Sequence, residues 1–337
     1  MFYPKQSIMQ PQALLYSLDP KSTFTQMSDQ ENLLYDTNKY KKLDDWVSEN
    51  NIKAMMFSEE EFHYKFFAIR PKVKIIYYCG DISLLNNKIL GIVGPRSMSD
   101  YAKRVLESLF AEANGHDLVT ISGMAEGVDQ LCHKLSHDYK IPTIAVLGGG
   151  LGRYFRRQER AIIEQIVANG GLVISEYKLG EKPTKYTFPQ RNRLIAGLSD
   201  VLFLPEAGEK SGSLVTVSCA IEMQKPVYAT PSSIFSPTSA GILQLIENGY
   251  VKPIFNLPKF LSNYFPSKNN FSRPSSMVLL TDKEQLLLAA LSCSESTGIQ
   301  SILMGIGGEI QELVELLSML EIKGLILQDC PGKYMLA

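Results

Sequence analysis

The sequence predicts an α/β fold with a parallel sheet, and three features of the chain support this assignment. Short apolar runs recur along the middle of the chain, a glycine or small polar turn follows them, and stretches with mostly helical periodicity separate them. The runs lie at 89–94, 118–123, 143–149, 171–176, 200–207 and 226–231. Repeated β–α units of this kind indicate a parallel sheet that is covered by helices on both faces.

Each apolar run is assigned to a strand and the stretches between them mostly to helices. The runs show no alternation of apolar and polar residues, as is expected of strands that are buried on both faces. The stretch at 101–113, between the first two runs, has the amphipathic pattern of a helix. The sequence therefore predicts an extended Rossmann-like parallel sheet domain over 81–256, preceded by a small, divergent N-terminal region over 1–80.

The C-terminal part of the chain predicts a second domain. Residues 257–277 are rich in Pro, Ser and Asn, which is typical of a linker. The segment 278–337 contains helical stretches, including an amphipathic one at 309–324, and then a predicted terminal hairpin that turns at 331–332. Helices followed by a terminal hairpin are the order of a winged-helix domain.

Length, composition and charge are those of an ordinary globular protein. The chain has 337 residues, of which 45% are hydrophobic and 20% charged, and its net charge is −1. Its length suggests two or three domains, at roughly 100–200 residues per domain. Because the total charge is close to zero, an argument for a polyanionic partner depends on where the charges lie.

The cysteines and the lengths of the apolar runs indicate the cellular location of the protein. The five cysteines are odd in number, and no two of them are at CxxC spacing. This pattern favours reduced thiols over disulfides or a zinc site. The start of the sequence has no basic segment followed by an apolar one, and no apolar run approaches the ~18 residues that a membrane span needs. We therefore expect a cytoplasmic protein with no membrane contact and no metal.

Four loops that follow predicted strands combine glycine with a small hydroxyl residue or an arginine. Ligands of open parallel sheets bind at the carboxyl ends of the strands, and helix N-termini there favour phosphate. One such loop is also typical of a tight β–α turn, but several at one edge favour anion binding. Because neither GxGxxG nor GxxxxGK[ST] occurs at the first strand, no nucleotide cofactor is predicted. The loops are 94–100, 122–129, 148–157 and 208–216.

The segment 185–200 has the strongest binding signal. Arg191 and Arg193 flank Asn192 just before a helical run, and arginine can grip a phosphate with two donors. Phe188 lies immediately upstream and has two interpretations, a ring that stacks on a base and a buried anchor of the loop.

The charges are unevenly distributed along the chain. Between 151 and 193 there are nine Lys or Arg against four acids, whereas 278–337 contain eight acids against three lysines. The basic segment favours a polyanion site, because phosphate contacts dominate nucleic-acid affinity. The acidic C-terminal domain is interpreted as a protein-contact or structural module.

Catalytic groups have little support. His133 and His137 share a helix face, but no HExxH pattern accompanies them. Asp129 and Glu206 lie near strand ends and are general acid or base candidates, although a role in orienting loops is the more typical one. No serine has an evident His/Asp relay, so the sequence predicts no catalytic residue.

At this point the motifs resemble the DNA-processing protein A family (DprA, also called Smf). The resemblance covers about 60–330 and is carried by IVGPRSMSDY, SGMAEGVDQLCH, TIAVLGGGLGRYF, FPQRNRLIAGLS and EAGEKSGSLVTVSCA. It implies single-stranded DNA binding, a homodimer, and loading of a RecA-type recombinase during natural transformation. It implies no enzymatic activity.

The resemblance also implies a set of DNA-contacting residues. One departure is YFRRQ at 154–158, where the family usually has YPxxN, so the role of that loop stays open. The implied residues are Gly94, Arg96, Ser122, Gly123, Lys185, Phe188, Arg191, Asn192, Arg193, Ser211, Gly212 and Ser213.

Two alternatives use related Rossmann-like loops. One is a nucleotide phosphoribohydrolase of the Lonely-guy type, which has a PGGxGTxxE motif. The matching stretch at 205–222 lacks the glycine pair, and Cys219 stands where the glutamate would follow Thr216. The other alternative is a nucleotide-sensing protein.

Overall fold

The computed structural model describes residues 45–56, 63–154, 159–267, 297–298, 310–322, 326–330 and 333–336, with Leu287, Leu291 and Leu303. Two compact units divide the chain, Met1–Lys268 and Asn269–Ala337. Within the described residues, no helix is long and apolar enough to cross a membrane.

The first unit is built on a nine-stranded sheet in the order β1-β2-β6-β5-β4-β3-β7-β8-β9. All pairs from β6 to β9 are parallel, and β2 is antiparallel to both β1 and β6. The predicted α/β fold with a mostly parallel sheet is therefore confirmed. The strands are Lys53–Met56, Ile75–Gly80, Ile89–Ile92, Val119–Ser122, Thr143–Val146, Leu172–Ser175, Val201–Leu204, Val227–Ala229 and Lys252–Pro253, numbered β1 to β9.

Helices connect the parallel strands and cover both faces of the sheet. β3 to β6 are wholly buried, as is β7, which explains why their sequences do not alternate. Full burial of each Leu, Ile or Val side chain contributes about 1.5–3 kcal/mol. The helices are Asp100–Ala113, Val128–Asp138, Leu151–Tyr154, Arg160–Ala168, Thr187–Leu198, Ser213–Glu222, Ala240–Glu247 and Leu257–Tyr264, numbered α1 to α8.

Two segments outside the predicted sheet domain belong to the first unit. Residues 53–80, assigned to a separate N-terminal region, supply β1 and β2 of the sheet. Residues 257–264, predicted to begin the linker, form α8, and its Phe260 and Leu261 are buried. The Pro- and Asn-rich composition of this segment predicted a linker, but Asn and Pro are also typical of helix starts. Asn256 caps α8 and a proline lies in its first turn.

The strand order places a crevice at the carboxyl ends of the strands. The chain enters the parallel sheet at β3, extends through β4, β5 and β6 on one side, and then crosses to β7 on the other side. The loops that leave β3 and β7 therefore run in opposite directions from neighbouring strands. Open α/β sheets bind their ligands at such a switch point.

The second unit contains a three-stranded antiparallel sheet and helix α9, Ile310–Ile322. Its strands are β10 (Thr297–Gly298), β11 (Ile326–Cys330) and β12 (Lys333–Leu336), in the order β10-β12-β11. The pairing of β11 with β12 occurs where the sequence predicts a hairpin. The winged-helix assignment stays a prediction, since the linker beyond residue 267 and most of 278–309 lie outside the described residues.

Candidate nucleic-acid interface

A cleft of about 840 Å³ opens at the switch point between β3 and β7. The loops that follow these two strands form part of its wall. The N-terminal ends of α5, α6 and α7 form much of the rest. The cleft therefore collects loops and helix N-termini that lie far apart in the sequence.

The cleft brings together nine of the twelve residues predicted to contact DNA. They come from three separate segments of the chain, which the β–α crossovers carry to one edge of the sheet. The three other residues, Ser122, Gly123 and Arg193, do not line it. The nine residues are Gly94, Arg96, Lys185, Phe188, Arg191, Asn192, Ser211, Gly212 and Ser213.

Arg96 and Phe188 join two walls of the cleft. The Arg96 guanidinium carbon lies 5.4 Å from the centroid of the Phe188 ring, within the range of a cation–π contact. Phe188 is partly buried against Gly148, where an added Cβ would lie 2.7 Å from the ring. The ring therefore anchors the first turn of α5 and also contacts the exposed Arg96 side chain.

The rim of the cleft carries an excess of positive charge. Arg96, Lys185 and Lys210 are exposed, against the one exposed acid of the lining, Glu209, which leaves a formal charge of +2. Lys210 was missed by the sequence analysis, although it lies in the loop compared at 208–216. A concave surface with this excess attracts anions.

Two helix N-termini add partial positive charge to the same cleft. Among the described residues, neither α6 nor α7 has a side-chain hydrogen bond at its N-cap, Gly212 or Ser239. The hydroxyl groups of Ser211 and Ser213 are hydrogen-bonded to each other at 2.7 Å beside the start of α6. Several first amides of these helices have local partners, since the Ser213 amide donates to the Ser211 hydroxyl at 3.4 Å and the Ile242 amide donates to the Ala207 carbonyl at 3.1 Å. The positive end of each helix dipole nevertheless favours an anion in the cleft.

Arg191 forms part of the floor of the cleft and is only 3% exposed. Its guanidinium donates to the Val146 carbonyl at the end of β5 and, at 3.1 Å, to Oδ1 of Asn192. Burial raises the pKa of the neighbouring Asp129, and the Arg191 charge opposes that rise. Two donors of the Arg191 guanidinium are therefore engaged within the protein, and its predicted contact with phosphate stays a prediction.

Arg193 is also buried and does not line the cleft. Its Nη2 donates to both carboxylate oxygens of Glu176, at 2.6 and 2.7 Å. In the described part of the chain, its Nε and Nη1 have no hydrogen-bond partner. Residues two apart on a helix do not face the same side, so Arg191 and Arg193 cannot both point at one ligand. Asn192, between them, lines the cleft.

Ser122 and Gly123 are structural rather than exposed. The Ser122 hydroxyl donates to the Ile92 carbonyl at 2.7 Å, which ties the end of β4 to β3. A Cβ at Gly123 would overlap with the Asp129 carboxylate and the Arg191 guanidinium, so glycine is required there. Both residues are buried beneath the cleft, so their predicted contact with DNA stays a prediction and neither is exposed on the cleft surface.

The proposed acid–base candidates have structural partners. Glu206 is 1% exposed, and its Oε2 accepts from the amide of Ser99, the N-cap of α1. His133, beneath the cleft, is bonded to the Gly123 carbonyl at 2.6 Å and to the Thr143 hydroxyl at 2.9 Å. Within the described residues, no group of three His, Cys, Asp or Glu is arranged to hold a metal ion.

One further part of the lining was missed at the sequence level. Pro237, Thr238 and Ala240, in the loop after β8 and at the start of α7, contribute to the cleft. The signal was available, because this loop leaves the same edge of the sheet as the others. It lacks glycine, however, and was not compared with them.

The chain is similar to known proteins along most of its length. A family model described as DNA recombination-mediator protein A matches residues 53–264. DNA processing protein DprA of Bacillus subtilis is 33% identical over 202 residues, which are 60% of this chain and 68% of the relative. Protein Smf of Escherichia coli is 31% identical over 297 residues, 86% and 78% of the two chains.

Two solved structures match the fold. The structure of DNA processing protein A from Helicobacter pylori, reported for its single-stranded DNA binding mode, has a TM-score of 0.56 and 30% identity, covering 62% of this chain and 94% of that one. DprA from Streptococcus pneumoniae has a TM-score of 0.58 and 28% identity, covering 76% and 94%. The chain therefore belongs to the DNA recombination-mediator protein A family.

Proposed function

We propose that this protein binds single-stranded DNA in the cleft and acts as a recombination mediator in DNA uptake and natural transformation. The observation that carries the proposal is the convergence of three exposed cations and two helix N-termini, without side-chain caps in the described chain, on one cleft. The relative from Helicobacter pylori, which binds single-stranded DNA, supports it.

The cleft suits a strand that is held by its backbone. Arg96 can bind a phosphate through two donors, and its orientation is set by Phe188. Lys185 and Lys210 add point charges that follow a flexible backbone. Since these contacts are to the phosphate backbone, which carries no direct sequence information, binding is expected to tolerate sequence and to depend on salt.

The remaining parts of the proposal concern partners and location. We expect a RecA-type recombinase as partner, a homodimer, and a C-terminal winged helix that contacts protein rather than DNA. The buried thiols of Cys79 and Cys132 fit a reducing, cytoplasmic location. No catalytic step is proposed, because Asp129 and Glu206 both orient loops.

Helix α7 offers little exposed apolar surface for self-association. Its apolar residues include Ile242, Leu245 and Ile246. Ile242 is 1% exposed and packs in the core, while Leu245 and Ile246 are partly buried against it. A dimer through this part of the domain would have to use the remaining exposed portions of the last two.

A nucleotide-sensing role is the second candidate, because the cleft volume is within the ~300–1,000 Å³ of small-molecule sites. Titration of a labelled dT oligomer, with AMP and a cyclic nucleotide as competitors, distinguishes the two. We expect tight oligomer binding that neither mononucleotide displaces at similar concentration. Displacement by AMP at equal concentration would favour the nucleotide sensor.

A further inference from the structure

The loop between β8 and α7 exposes two adjacent apolar side chains. Phe235 is 89% exposed and Ile234 is 78% exposed. Leaving a side chain of this size in water forgoes about 1.5–3 kcal/mol of burial energy. Two such neighbours on one loop indicate a surface that is covered when the protein binds a ligand.

Hydrogen bonds hold this loop in a defined shape. The Ser236 amide donates to the Ser233 carbonyl at 3.0 Å, and the Ser239 amide donates to the Ser236 carbonyl at 3.1 Å, which makes two successive turns. The Phe235 amide donates to the Ser233 hydroxyl at 3.2 Å. Tyr101 on α1 fixes the start of the loop by donating to the Pro231 carbonyl at 2.6 Å.

The exposed pair lies at the border of the cleft. Pro237 and Thr238, in the second turn, line the cleft, and the Pro237 carbonyl packs close to Gly208 in the loop after β7. Phe235 is two residues from Pro237, so their Cα atoms are at most about 7 Å apart. The exposed apolar pair therefore lies within a few residues of a segment that lines the cleft.

We propose that Ile234 and Phe235 form a platform on which a nucleobase of the bound strand stacks as it leaves the cleft. The inference rests on the proposed function and names the surface that receives the bases. If the phosphates of the strand lie inside the cleft, its bases are free to contact a neighbouring aromatic side chain. Every base can do so, because every base has a π-face. The stretch 231–239 contains no charged residue, so this loop adds apolar contact and no ion pair with phosphate.

The test compares Phe235→Ala with a control that removes another exposed aromatic ring, that of Tyr64, which contacts His63. Tyr64 is 65% exposed, and its turn lies at the opposite edge of the sheet. The neighbouring Lys65 bonds Asp200 at 2.9 Å, and Asp200 accepts from the Ile89 amide at the amino end of β3. Tyr64→Ala therefore removes an aromatic side chain far from the carboxyl edge.

The measurement is anisotropy of the full-length protein with a labelled dT oligomer and with an abasic strand of equal length. Phe235→Ala should bind dT about 5- to 100-fold more weakly than the wild type, the range for losing one stacked base. It should bind the abasic strand as the wild type does, and Phe235→Trp should retain dT affinity. Tyr64→Ala should match the wild type on both strands.

The salt dependence separates stacking from charge. Because Phe235→Ala removes no phosphate contact, the slope of log affinity against log salt should stay that of the wild type. Equal dT affinity of wild type, Phe235→Ala and Tyr64→Ala would overturn the platform, as would a Phe235→Ala effect of the same size on the abasic strand. If the wild type itself does not bind dT, the proposed function fails and the platform with it.

Discussion

At the residue scale, exposed and buried cations have different roles in this cleft. Lys185 is exposed on the rim, whereas Arg191 is bonded to the Val146 carbonyl and lies beside Asp129. A phosphate can therefore reach Lys185 without disturbing the fold. Removing Arg191 would leave Asp129 buried without its counter-charge.

The two residues should consequently fail in different assays. Lys185→Ala should weaken dT binding by about one to two decades, from 1.5–3 kcal/mol for a charged hydrogen bond, with an unchanged melting temperature. Arg191→Ala should destabilise the fold by about 1–3 kcal/mol, because it leaves the buried Val146 carbonyl without its donor. Thermal melts and anisotropy on both variants check this. If the Arg191→Ala protein has wild-type stability but no longer binds DNA, the result would support the sequence prediction that Arg191 contacts phosphate directly.

His133 predicts a specific loss of stability in acid. Burial lowers the pKa of His133 from 6.5 to about 4, so the folded protein favours the neutral ring. The contribution of the neutral ring to the free energy of unfolding is fully present above pH 6.5. As the pH falls from 6.5 towards 4, the free energy of unfolding decreases by about 3 kcal/mol, because the unfolded chain binds the proton more readily. Urea unfolding of the wild type and of His133→Gln, repeated from pH 7 to 4, measures the difference. Parallel pH profiles for the two proteins would contradict the account.

The sequence predicts which residues lie at the carboxyl edge of the sheet, but it does not predict which of them are buried. Arg96, Lys185 and the 211–213 turn lie in loops at strand ends, and strand order alone puts them at one edge. The burial of Arg191 and Arg193 could not be read from residue type, because arginines beside a glycine-rich edge look alike whether they face ligand or carboxylate. The spacing of two on a helix was nevertheless available, and it argues against a shared ligand.

At the scale of elements, the start of α6 lies in the proposed binding cleft and begins with a glycine N-cap. Gly212 is its N-cap, makes no side-chain cap in the described structure, and has no atom within 4 Å of an added Cβ. A side chain there is therefore accommodated without overlap. An acid at this point stabilises the helix dipole and repels phosphate.

Gly212→Asp should thus change stability and affinity in opposite directions. We expect a gain of about 0.3–1 kcal/mol in the free energy of unfolding from the helix dipole, and weaker dT binding. Gly212→Asn is the matched control, since it has nearly the same shape without the charge. Urea unfolding and anisotropy test the pair. If the Asp variant binds dT as tightly as the Asn variant, phosphate does not approach the start of α6.

The strands of the repeated β–α units were predictable, and the strands outside those units were not. β3 to β8 correspond to the six apolar runs, because central parallel strands need continuous apolar residues. β9 has only two residues, which is too short to give a pattern. β2 is strongly apolar, but no β–α unit precedes it, so nothing in the pattern predicts its antiparallel pairing with the sheet.

At the scale of the whole molecule, the proposed DNA-binding cleft and the acidic C-terminal segment belong to different units. The cleft is built entirely from residues of Met1–Lys268. The segment 278–337 has eight acids against three lysines, a charge that gives phosphate nothing to bind. The second unit is therefore expected to be dispensable for DNA affinity.

Deletion of 269–337 should leave dT affinity within about threefold of the full-length value. A threefold change corresponds to a smaller free energy than the ~1 kcal/mol that one weak contact contributes. Anisotropy at one fixed salt concentration compares the two proteins, and a thermal melt checks that the shorter chain is folded. A folded deletion variant that no longer binds dT would move the site to the C-terminal unit.

The central claim is that the cleft binds single-stranded DNA through its phosphates. The most direct test of this claim is the salt dependence of dT-oligomer binding. With three exposed cations in contact, log affinity should fall with log salt at a slope near −2, from ~0.7 per contact on single strands. Lys185→Ala should make the slope shallower by about 0.7. Binding that does not change with salt, or that has the same slope in wild type and Lys185→Ala, would contradict the account.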